Sequence, residues 1–330
     1  MSESASRPAW AIVVHGGAGV IERGRLKPDQ EKAYREALAH VAEAGAAVLE
    51  AGGSALDAIE TSVRLLEDDP LFNAGLGAVF TAEGRNELDA AIMDGATLAA
   101  GAVAGVTRTR HPISLARAVM ERSGHVMLIG EGADAFARHD GQEAAEPGAF
   151  FTERRWKSLV NFLTTEGLPI PAKPEATRDN PKAELAHDEG KHGTVGVVAL
   201  DRNGHVAAGT STGGVTGKRW GRVGDSPVIG AGTYASDRSC AVSATGAGEY
   251  FIRLGVAQAI SALVELKGLS LQAAVDEVVQ TRLTALGGDG GVIAVAPDGQ
   301  MAWSFNTSGM YRARVAEGRP LEVGVYKDDM

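Results

Sequence analysis

The amino-acid sequence predicts an α+β fold that contains antiparallel sheet. Two segments near the N-terminus have helical periodicity, and two apolar segments in the second half of the chain read as β-hairpins. Hairpins join antiparallel strands, whereas a strict alternation of strand and helix would predict a parallel sheet. The 330 residues suffice for one large domain or two ordinary ones.

The chain is predicted to begin with a strand and two amphipathic helices. Apolar residues 10–14 form a short strand that leads into His-Gly-Gly-Ala-Gly at 15–19. Residues 28–50 place their apolar side chains on one helical stripe. A second helix begins at Ser54, whose hydroxyl can cap it, and ends before Pro70, which cannot continue a helix.

The middle of the chain combines short strands, short helices and a polar segment. Residues 76–108 have frequent turn residues and little helical period, so they predict strands and turns. Helical stretches return at 113–121 and 131–140. Residues 164–193 contain four prolines, many charges and few apolar side chains. Because such a segment can bury little apolar surface, we expect a mobile linker there.

The last third of the chain is predicted to alternate between hairpins and helices. The first hairpin spans 194–212, and a glycine-rich stretch follows it at 213–232. The remaining predicted elements are a strand at 239–244, helices at 249–267 and 270–284, and a hairpin at 290–306 with its turn at Pro-Asp-Gly.

Composition excludes several classes of protein. The net charge of −10 argues against a general binder of nucleic acid or anionic membranes. No apolar segment approaches the roughly 20 residues that a membrane helix needs, and the N-terminal residues lack the apolar region of a signal peptide. Cys240 is the only cysteine, which fits a reducing compartment. We therefore expect a cytoplasmic protein, with Cys240 as a buried apolar residue.

Three partial motifs fail on physical grounds. The glycines of 15–19 resemble a dinucleotide loop, but Glu22 stands where the third glycine should allow close packing. Gly-Thr-Ser-Thr-Gly at 209–213 matches an esterase elbow, yet the last histidine, His205, precedes Ser211. The charged residues at 187–192 lack the spacing of a metal site, so we interpret them as a solvent-exposed charged segment.

The first hairpin has an unusual beginning. A two-residue Asn-Gly turn at 203–204 would make Thr194 face Gly213 and would place Thr212 across from Val195. A hydroxyl-rich strand end would then lie beside the first residue after the linker. Threonine is common in strands, so this arrangement could simply be a sheet edge filled by β-branched residues.

Chemistry offers an alternative for the same residue. A threonine hydroxyl is a weak nucleophile unless a base takes its proton. If the Gly193–Thr194 bond were cut, the new α-amine of Thr194, with a pKa of about 7.7–8.0, would be that base. Gly193 tolerates the unusual backbone geometry that cleavage needs, and the preceding linker could move away.

Several ordered motifs carry a family resemblance. His-Gly-Gly-Ala-Gly, LFNAGLGAVF, GTVGVVALD, STGG, GRVGDSP and TGAGE occur in this order across nearly the whole chain. This set resembles the plant-type asparaginases, also called isoaspartyl peptidases, which are N-terminal-nucleophile hydrolases made as inactive precursors. The resemblance implies a four-layer α/β/β/α sandwich. It also implies one domain, 1–330, that cuts itself into an α subunit of residues 1–193, ending in the 164–193 linker, and a β subunit of residues 194–330.

The resemblance also implies roles for individual residues. Cleavage falls between Gly193 and Thr194, Thr194 becomes the nucleophile, and the Thr212 hydroxyl supports it. Arg222 would hold the substrate α-carboxylate and Asp225 the α-ammonium, a match of opposite charges that reads an amino-acid head group.

The TGAGE motif is implied to complete the catalytic machinery. Thr245 and the Gly246 amide would form the oxyanion hole, and Gly248 would leave room for substrate. The reaction implied is hydrolysis of L-asparagine, or of β-aspartyl dipeptides, through a threonine acyl-enzyme without an organic cofactor. An aspartylglucosaminidase-type amidase is the alternative in the same superfamily, and a non-catalytic nucleotide-binding protein is the alternative outside it.

A structural ion and an assembly follow from the same resemblance. The turn before and within LFNAGL is similar to the family's sodium-binding loop, and Asn73 within it would lie near the site with no role assigned. A dimer of αβ heterodimers is the family expectation. The residues whose main-chain oxygens would ligate Na⁺ are Leu66, Glu67, Asp69, Phe72, Ala74 and Leu76.

Overall fold

The computed structural model describes residues 7–174, 181–187 and 193–329. Its strands are β1 (Ala11–Gly19), β2 (Leu88–Asp94), β3 (Ala100–Val106), β4 (Met127–Ile129), β5 (Val195–Leu200), β6 (Val206–Thr212), β7 (Thr233–Ala235), β8 (Ala241–Gly246), β9 (Gly290–Val295), β10 (Met301–Phe305), β11 (Gly309–Ala316) and β12 (Arg319–Tyr326). Its α-helices are α1 (Pro28–Glu50), α2 (Ala55–Asp68), α3 (Pro112–Arg122), α4 (Gly130–Asp140), α5 (Glu153–Thr165), α6 (Gly248–Leu254), α7 (Val256–Lys267), α8 (Leu271–Asp276) and α9 (Thr284–Leu286). Across these residues, each helix is too short or too polar to cross a bilayer.

The strands of the described residues form two sheets. The larger sheet has eight strands in the order β12-β11-β1-β5-β6-β2-β3-β4, and the smaller sheet has four in the order β10-β9-β8-β7. Only β3 and β4 pair in parallel among these strands, and the other neighbours are antiparallel. The predicted mixture of helices with antiparallel sheet is confirmed.

The first two helices form where the sequence predicts them. Pro28 occupies the first turn of α1, where its missing N–H costs nothing. The Ser54 hydroxyl accepts a hydrogen bond from the Asp57 N–H at 3.1 Å, and the Asp57 carboxylate bonds back to Ser54. This capping box sets the start of α2. Apolar side chains on both helices then pack on the larger sheet.

Alternation along β5 separates two packing layers. Val195 and Val197 lie in a core shared with α1, α2 and α3, whereas Val198 and Leu200 lie in a core that also contains residues of β8 and β9. Successive strand residues point to opposite faces, so a residue just before Val195 faces the smaller sheet. A further core packs β8 and β9 against α6, α7 and α8. Cys240 lies in it, and burial raises the pKa of its thiol to about 12.

The turn of the first hairpin differs from the prediction. Val195 pairs with Ser211, and Asp201 and His205 close a loop of three residues rather than two. Gly204 has φ +85°, the left-handed conformation that a glycine supplies at the third position of such a loop. The register is therefore shifted by one residue, and Thr194 continues it opposite Thr212 instead of Gly213.

One predicted helix is two helices in the structure. The segment 249–267 breaks at Gly255, whose φ of +56° ends α6. The first N–H groups of α7 find partners outside the helix, because Ala257 donates to the Ala231 carbonyl at 3.0 Å and Gln258 to the Gly230 carbonyl at 2.9 Å. The break thus ties α7 to the glycine-rich stretch. The helix predicted at 270–284 forms, with a π-helical segment, Glu277–Leu283, between α8 and α9.

Several elements were not predicted. Helix α5 buries Trp156, Leu159 and Leu163 in an aromatic cluster with Phe80 and Phe151. The C-terminal strands β11 and β12 form a hairpin on the far side of β1. These segments mix charged and apolar residues, and some of their partners, such as Phe80 for α5 and β1 for β11, lie far away in the chain.

The predicted mobile linker was wrong in part of its length. Helix α5 extends to Thr165, and Pro181–Leu185 form a turn of 3₁₀ helix. Ala183 and Ala186 are buried, and the Leu185 carbonyl accepts a hydrogen bond from Gln30 at 3.1 Å. Two buried alanines and this hydrogen bond attach the segment to the fold. Residues 175–180 and 188–192 of the predicted linker lie outside the described residues.

Candidate active site

Thr194 lies at the entrance to β5, in the interior of the larger sheet. Its side chain is buried, and its hydroxyl donates to the Thr212 Oγ1 at 3.2 Å. The corrected register explains this contact, since the two residues are direct cross-strand neighbours. They border a small cavity of about 10 Å³. The lining residues are Gly193, Thr194, Thr212, Gly214, Val215, Arg222, Gly224, Asp225, Ser226 and Gly246.

Two side chains donate to the carbonyl oxygen of the peptide bond between Gly193 and Thr194. Asn73 Nδ2 lies 2.8 Å from the Gly193 oxygen, and Thr212 Oγ1 lies 2.9 Å from it. Asn73 is held in place because its Oδ1 accepts from the Val79 N–H at 3.0 Å and its Nδ2 also donates to the Gly214 carbonyl at 2.7 Å. This pair of donors polarises the Gly193 carbonyl. Negative charge would develop on the same Gly193 oxygen if that carbonyl were attacked.

The Thr212 hydroxyl connects the Thr194 hydroxyl with the Gly193 carbonyl. It accepts from the Thr194 hydroxyl and from the Gly214 N–H at 3.0 Å, and its own proton points at the Gly193 oxygen. One hydroxyl can do all three because it has one proton and two lone pairs. Sequence reasoning assigned a supporting role to Thr212. It did not assign Asn73, which is 120 residues from Gly193 in sequence.

Asp225 is a buried carboxylate without a complete set of partners. Its Oδ2 accepts no hydrogen bond among the described residues. Burial raises the pKa of Asp225 to about 7, against the opposing effects of its own main-chain hydrogen bond and of the Arg222 charge. A Cβ added to Gly232 would lie 2.8 Å from Oδ2, and one added to Gly248 would lie 2.9 Å from Oδ1. A side chain at either position would crowd the carboxylate, which glycine avoids, and the room for substrate expected at Gly248 stays a prediction.

Arg222 makes an ion pair that the sequence analysis missed. Its Nε and Nη2 donate to the two carboxylate oxygens of Glu249 at 2.9 and 3.1 Å. The Arg222 side chain is largely buried, whereas 60% of the Glu249 side chain is exposed. Glu249 occupies one edge of the guanidinium, and the edge formed by Nη1 and Nη2 lies beside Gly224. Glu249 follows TGAG directly, so its position in the motif was an available signal.

The predicted oxyanion residues lie at the end of β8. Gly246 borders the same cavity as Thr194, and its φ of +151° is a conformation suited to glycine. Thr245 is fully buried, and its hydroxyl accepts from the Ala18 N–H at 3.4 Å. The structure thus brings Gly246 to the cavity beside Thr194, whereas Thr245 is not among the residues that line it.

A chain of buried polar side chains runs between the sheets behind Thr194. His15 Nε2 lies 3.0 Å from Ser243 Oγ, which lies 2.7 Å from Thr210 Oγ1. Thr233 then donates to Thr210 at 2.7 Å and is itself 3.0 Å from the Ser226 carbonyl. Burial lowers the pKa of His15 to about 3, so the imidazole is neutral at pH 7. The chain connects strands of both sheets to the loop that carries Asp225.

Ser211, the middle residue of the esterase-like motif, points away from the cavity. Its hydroxyl donates to Glu67 Oε1 at 2.6 Å on the opposite face of β6. Glu67 is fully buried, and burial raises the pKa of its carboxyl group. The rejection of Ser211 as a nucleophile is confirmed.

The loop after α2 presents main-chain oxygens rather than carboxylates. The Glu67 carboxylate is engaged by Ser211, and the Asp69 carboxylate accepts from the Leu71 N–H at 3.1 Å and pairs with Lys182 at 2.5 Å. The Glu67 carbonyl packs against Gly75, where any side chain would overlap it. Three of the six carbonyl oxygens already accept main-chain hydrogen bonds, those of Leu66, Asp69 and Ala74. The sodium site stays a prediction.

Comparison with known proteins identifies the family. The model of a family described as Asparaginase matches residues 8–325. The chain belongs to the asparaginase family. It is 50% identical over 317 residues to the isoaspartyl peptidase of Salmonella typhimurium, covering 96% of this chain and 98% of the relative. Identity to the isoaspartyl peptidase of Escherichia coli is also 50%, covering 96% of each chain, and identity to the plant-type L-asparaginase of Pyrococcus furiosus is 44%, covering 96% of this chain and 99% of the relative.

Membership of this family confirms the resemblance drawn from the motifs and makes the chain a hydrolase. The glycine-rich segment at 15–19 fits this conclusion better than a nucleotide site. It lies within β1 and pairs with β11, with a bulge between His15 and Gly17. A dinucleotide loop would instead turn from a strand into a helix N-terminus.

Proposed function

We propose that this member of the asparaginase family cleaves its own Gly193–Thr194 bond and then hydrolyses L-asparagine and β-aspartyl dipeptides through Thr194. The observation that carries the proposal is the pair of donors, Asn73 and Thr212, on the Gly193 carbonyl oxygen. The printed names of the relatives, isoaspartyl peptidase and plant-type L-asparaginase, support the choice of substrates.

Self-cleavage begins with the Thr194 hydroxyl. Its oxygen adds to the Gly193 carbonyl carbon, and the resulting oxyanion is stabilised by Asn73 Nδ2 and the Thr212 hydroxyl. The C–N bond then breaks, the departing nitrogen takes the proton that the Thr194 hydroxyl lost, and an ester remains. Water hydrolyses this ester, which leaves a carboxylate on Gly193 and a free α-amine on Thr194.

The same hydroxyl then acts on substrate. The Thr194 α-amine takes the hydroxyl proton, and the oxygen attacks the substrate's side-chain carbonyl. Thr245 and the Gly246 amide stabilise the oxyanion, and ammonia or an amino acid leaves with the transferred proton. Water releases aspartate from Thr194. Arg222 and Asp225 hold the α-carboxylate and α-ammonium, so the unpaired Asp225 oxygen gains a partner when substrate binds.

The architecture, ion and assembly belong to the same proposal. Three cores, one on each side of the two sheets and one between them, support a four-layer α/β/β/α sandwich of the N-terminal-nucleophile type. We further propose a cytoplasmic dimer of αβ heterodimers. A Na⁺ ion would supply structural support to the loop that carries Asn73, held by main-chain oxygens of Leu66, Glu67, Asp69, Phe72, Ala74 and Leu76.

The decisive experiment is denaturing electrophoresis with N-terminal sequencing. The 34.1 kDa chain should give fragments of roughly 20 and 14 kDa, in proportion to 193 and 137 residues, and the smaller should begin at Thr194. Thr194→Ala should stay intact and inactive, because it lacks the hydroxyl. Thr194→Ser keeps a hydroxyl and should still cleave. Cleavage or activity in Thr194→Ala would refute the proposal.

A further inference from the structure

Trp220 combines a strained backbone with near-complete exposure. Its side chain is 90% exposed, and its φ is +57°, the left-handed region that bulky residues avoid. Gly221 follows with φ +69°, and the Arg222 N–H donates to the Arg219 carbonyl at 3.0 Å. Two successive positive φ angles inside such a hydrogen bond define a type I′ turn.

Burial does not favour tryptophan at this position. Type I′ turns favour asparagine or glycine at both central positions, and other residues pay of the order of 1–2 kcal/mol for the left-handed conformation. Burial of the indole would normally offset that cost, but the ring is in solvent. The ring is therefore available to a molecule outside the fold.

The turn leads directly into the residues assigned to the substrate head group. Only Gly221 lies between Trp220 and Arg222, so their Cα atoms are at most roughly 7 Å apart, and Asp225 follows in the same loop. The leaving residue of a β-aspartyl dipeptide lies only a few covalent bonds from the α-carboxylate that Arg222 would hold. An aromatic ring on this turn is therefore within reach of that residue.

Arg219 adds a cation to the same surface. Its guanidinium carbon lies 4.7 Å from the centre of the Trp220 ring. Among the described residues, Arg219 makes no ion pair within 4.0 Å. A β-aspartyl dipeptide carries a second carboxylate on its leaving residue, whereas asparagine does not. The turn thus offers an apolar face and a positive charge side by side. These complement the apolar side chain and the free carboxylate of such a leaving residue.

We propose that Arg219 and Trp220 form a subsite for the leaving residue of β-aspartyl dipeptides. The indole packs against an apolar or aromatic side chain of that residue, and the Arg219 guanidinium pairs with its free carboxylate. This inference rests on the proposed function. It adds a preference for dipeptides that end in a large apolar residue with a free C-terminus.

The first test compares three substrates in the cleaved enzyme. Trp220→Asn suits the turn and removes the ring, so kcat/KM for β-Asp-Phe should fall about five- to tenfold, through KM. For L-asparagine, which has no leaving residue, kcat/KM should change less than twofold. β-Asp-Gly, whose leaving residue has no side chain, should behave like L-asparagine. Trp220→Phe is the matched control and should retain most activity on β-Asp-Phe.

The second test addresses the carboxylate. Arg219→Gln should lower kcat/KM for β-Asp-Phe about five- to tenfold. The kcat/KM for the C-terminal amide of β-Asp-Phe, which has no free carboxylate, should not change. Equal losses on L-asparagine and β-Asp-Phe, or no loss on either, would overturn the subsite. So would a change in oligomer size of Trp220→Asn on gel filtration, since the ring would then contact a second copy of the chain. Failure of the unmodified enzyme to hydrolyse any of these substrates would refute the proposed function instead.

Discussion

The two ends of the candidate site differ in how their polar groups are satisfied. At the nucleophile end, defined by Asn73, Thr194 and Thr212, each side chain has hydrogen-bond partners within the protein, and Asn73 and Thr212 both donate to the Gly193 carbonyl. At the head-group end, defined by Arg222 and Asp225, one carboxylate oxygen is buried without a partner, and the guanidinium is held by an exposed glutamate.

This contrast indicates that the two ends are built for different ligands. In the proposed self-cleavage, the first substrate of the nucleophile end is the peptide bond between Gly193 and Thr194. The head-group end keeps an unpaired buried carboxylate, which is costly to maintain unless a cation arrives. Cleavage and substrate turnover should therefore be separable by mutation, one end at a time.

The largest expected effect comes from breaking the nucleophile end. Asn73→Asp keeps the shape but replaces the amide donor with a carboxylate, so the Gly193 oxyanion loses one of two donors. Self-cleavage should slow by about 10²–10³-fold. The fraction of intact chain over time on a denaturing gel measures this rate. Asn203→Asp, in the exposed hairpin loop, is the control, and normal cleavage in Asn73→Asp would contradict the role assigned to Asn73.

An intermediate effect should follow from changing the head-group end alone. Asp225→Asn removes the charge that pairs with the substrate ammonium, so kcat/KM for L-asparagine should fall about 10- to 100-fold, while the chain still cleaves itself. Asp298→Asn, in the turn of the second hairpin, is the control. Loss of self-cleavage in Asp225→Asn would show that the two ends are not separable.

The same substitution should stabilise the empty protein. Because the folded pKa of Asp225 is about 7 against an ordinary 3.8, the unfolded chain loses this proton first, and folding becomes less favourable as pH rises from about 4 to about 7. In an uncleaved Thr194→Ala background, Asp225→Asn should raise Tm by at least about 2 °C at pH 8 and leave it unchanged near pH 4. A lower Tm at pH 8 would mean that Asp225 has an unrecognised partner.

The smallest effect is expected from Glu249. The pair with Arg222 is half in solvent, so Glu249→Gln should lower kcat/KM for L-asparagine only about two- to fivefold. Glu249 also contributes to the raised pKa of Asp225. Its removal should move the acid limb of the pH profile of kcat/KM to lower pH, because binding needs ionised Asp225. Glu36→Gln, which removes an exposed negative charge on α1, serves as the control. An unshifted profile in Glu249→Gln would show that Glu249 does not act on Asp225.

The sequence alone led to the chemistry proposed for residue 194. A threonine behind a glycine, at the start of an apolar strand and with hydroxyls nearby, is a local pattern, and local patterns also predicted α1, α2 and the second hairpin. The motifs that matched the asparaginase family placed Arg222, Asp225 and Gly246 as well, because they lie within short segments of fixed spacing. The structure places these residues around one cavity, whereas their catalytic and binding roles, the oxyanion role of Thr245 and the Na⁺ loop remain predictions.

Only the tertiary structure decided which groups meet. The loop at 202–204 has one residue more than predicted, and this sets Thr194 opposite Thr212. The sequence pattern of the two strands did not distinguish this register from one shifted by a single residue. Asn73 reaches the Gly193 carbonyl from 120 residues away, and Glu249 reaches Arg222 from the next helix. Such pairings depend on how sheets and loops pack, since a side chain's partners across a sheet are fixed by geometry and not by its neighbours in sequence.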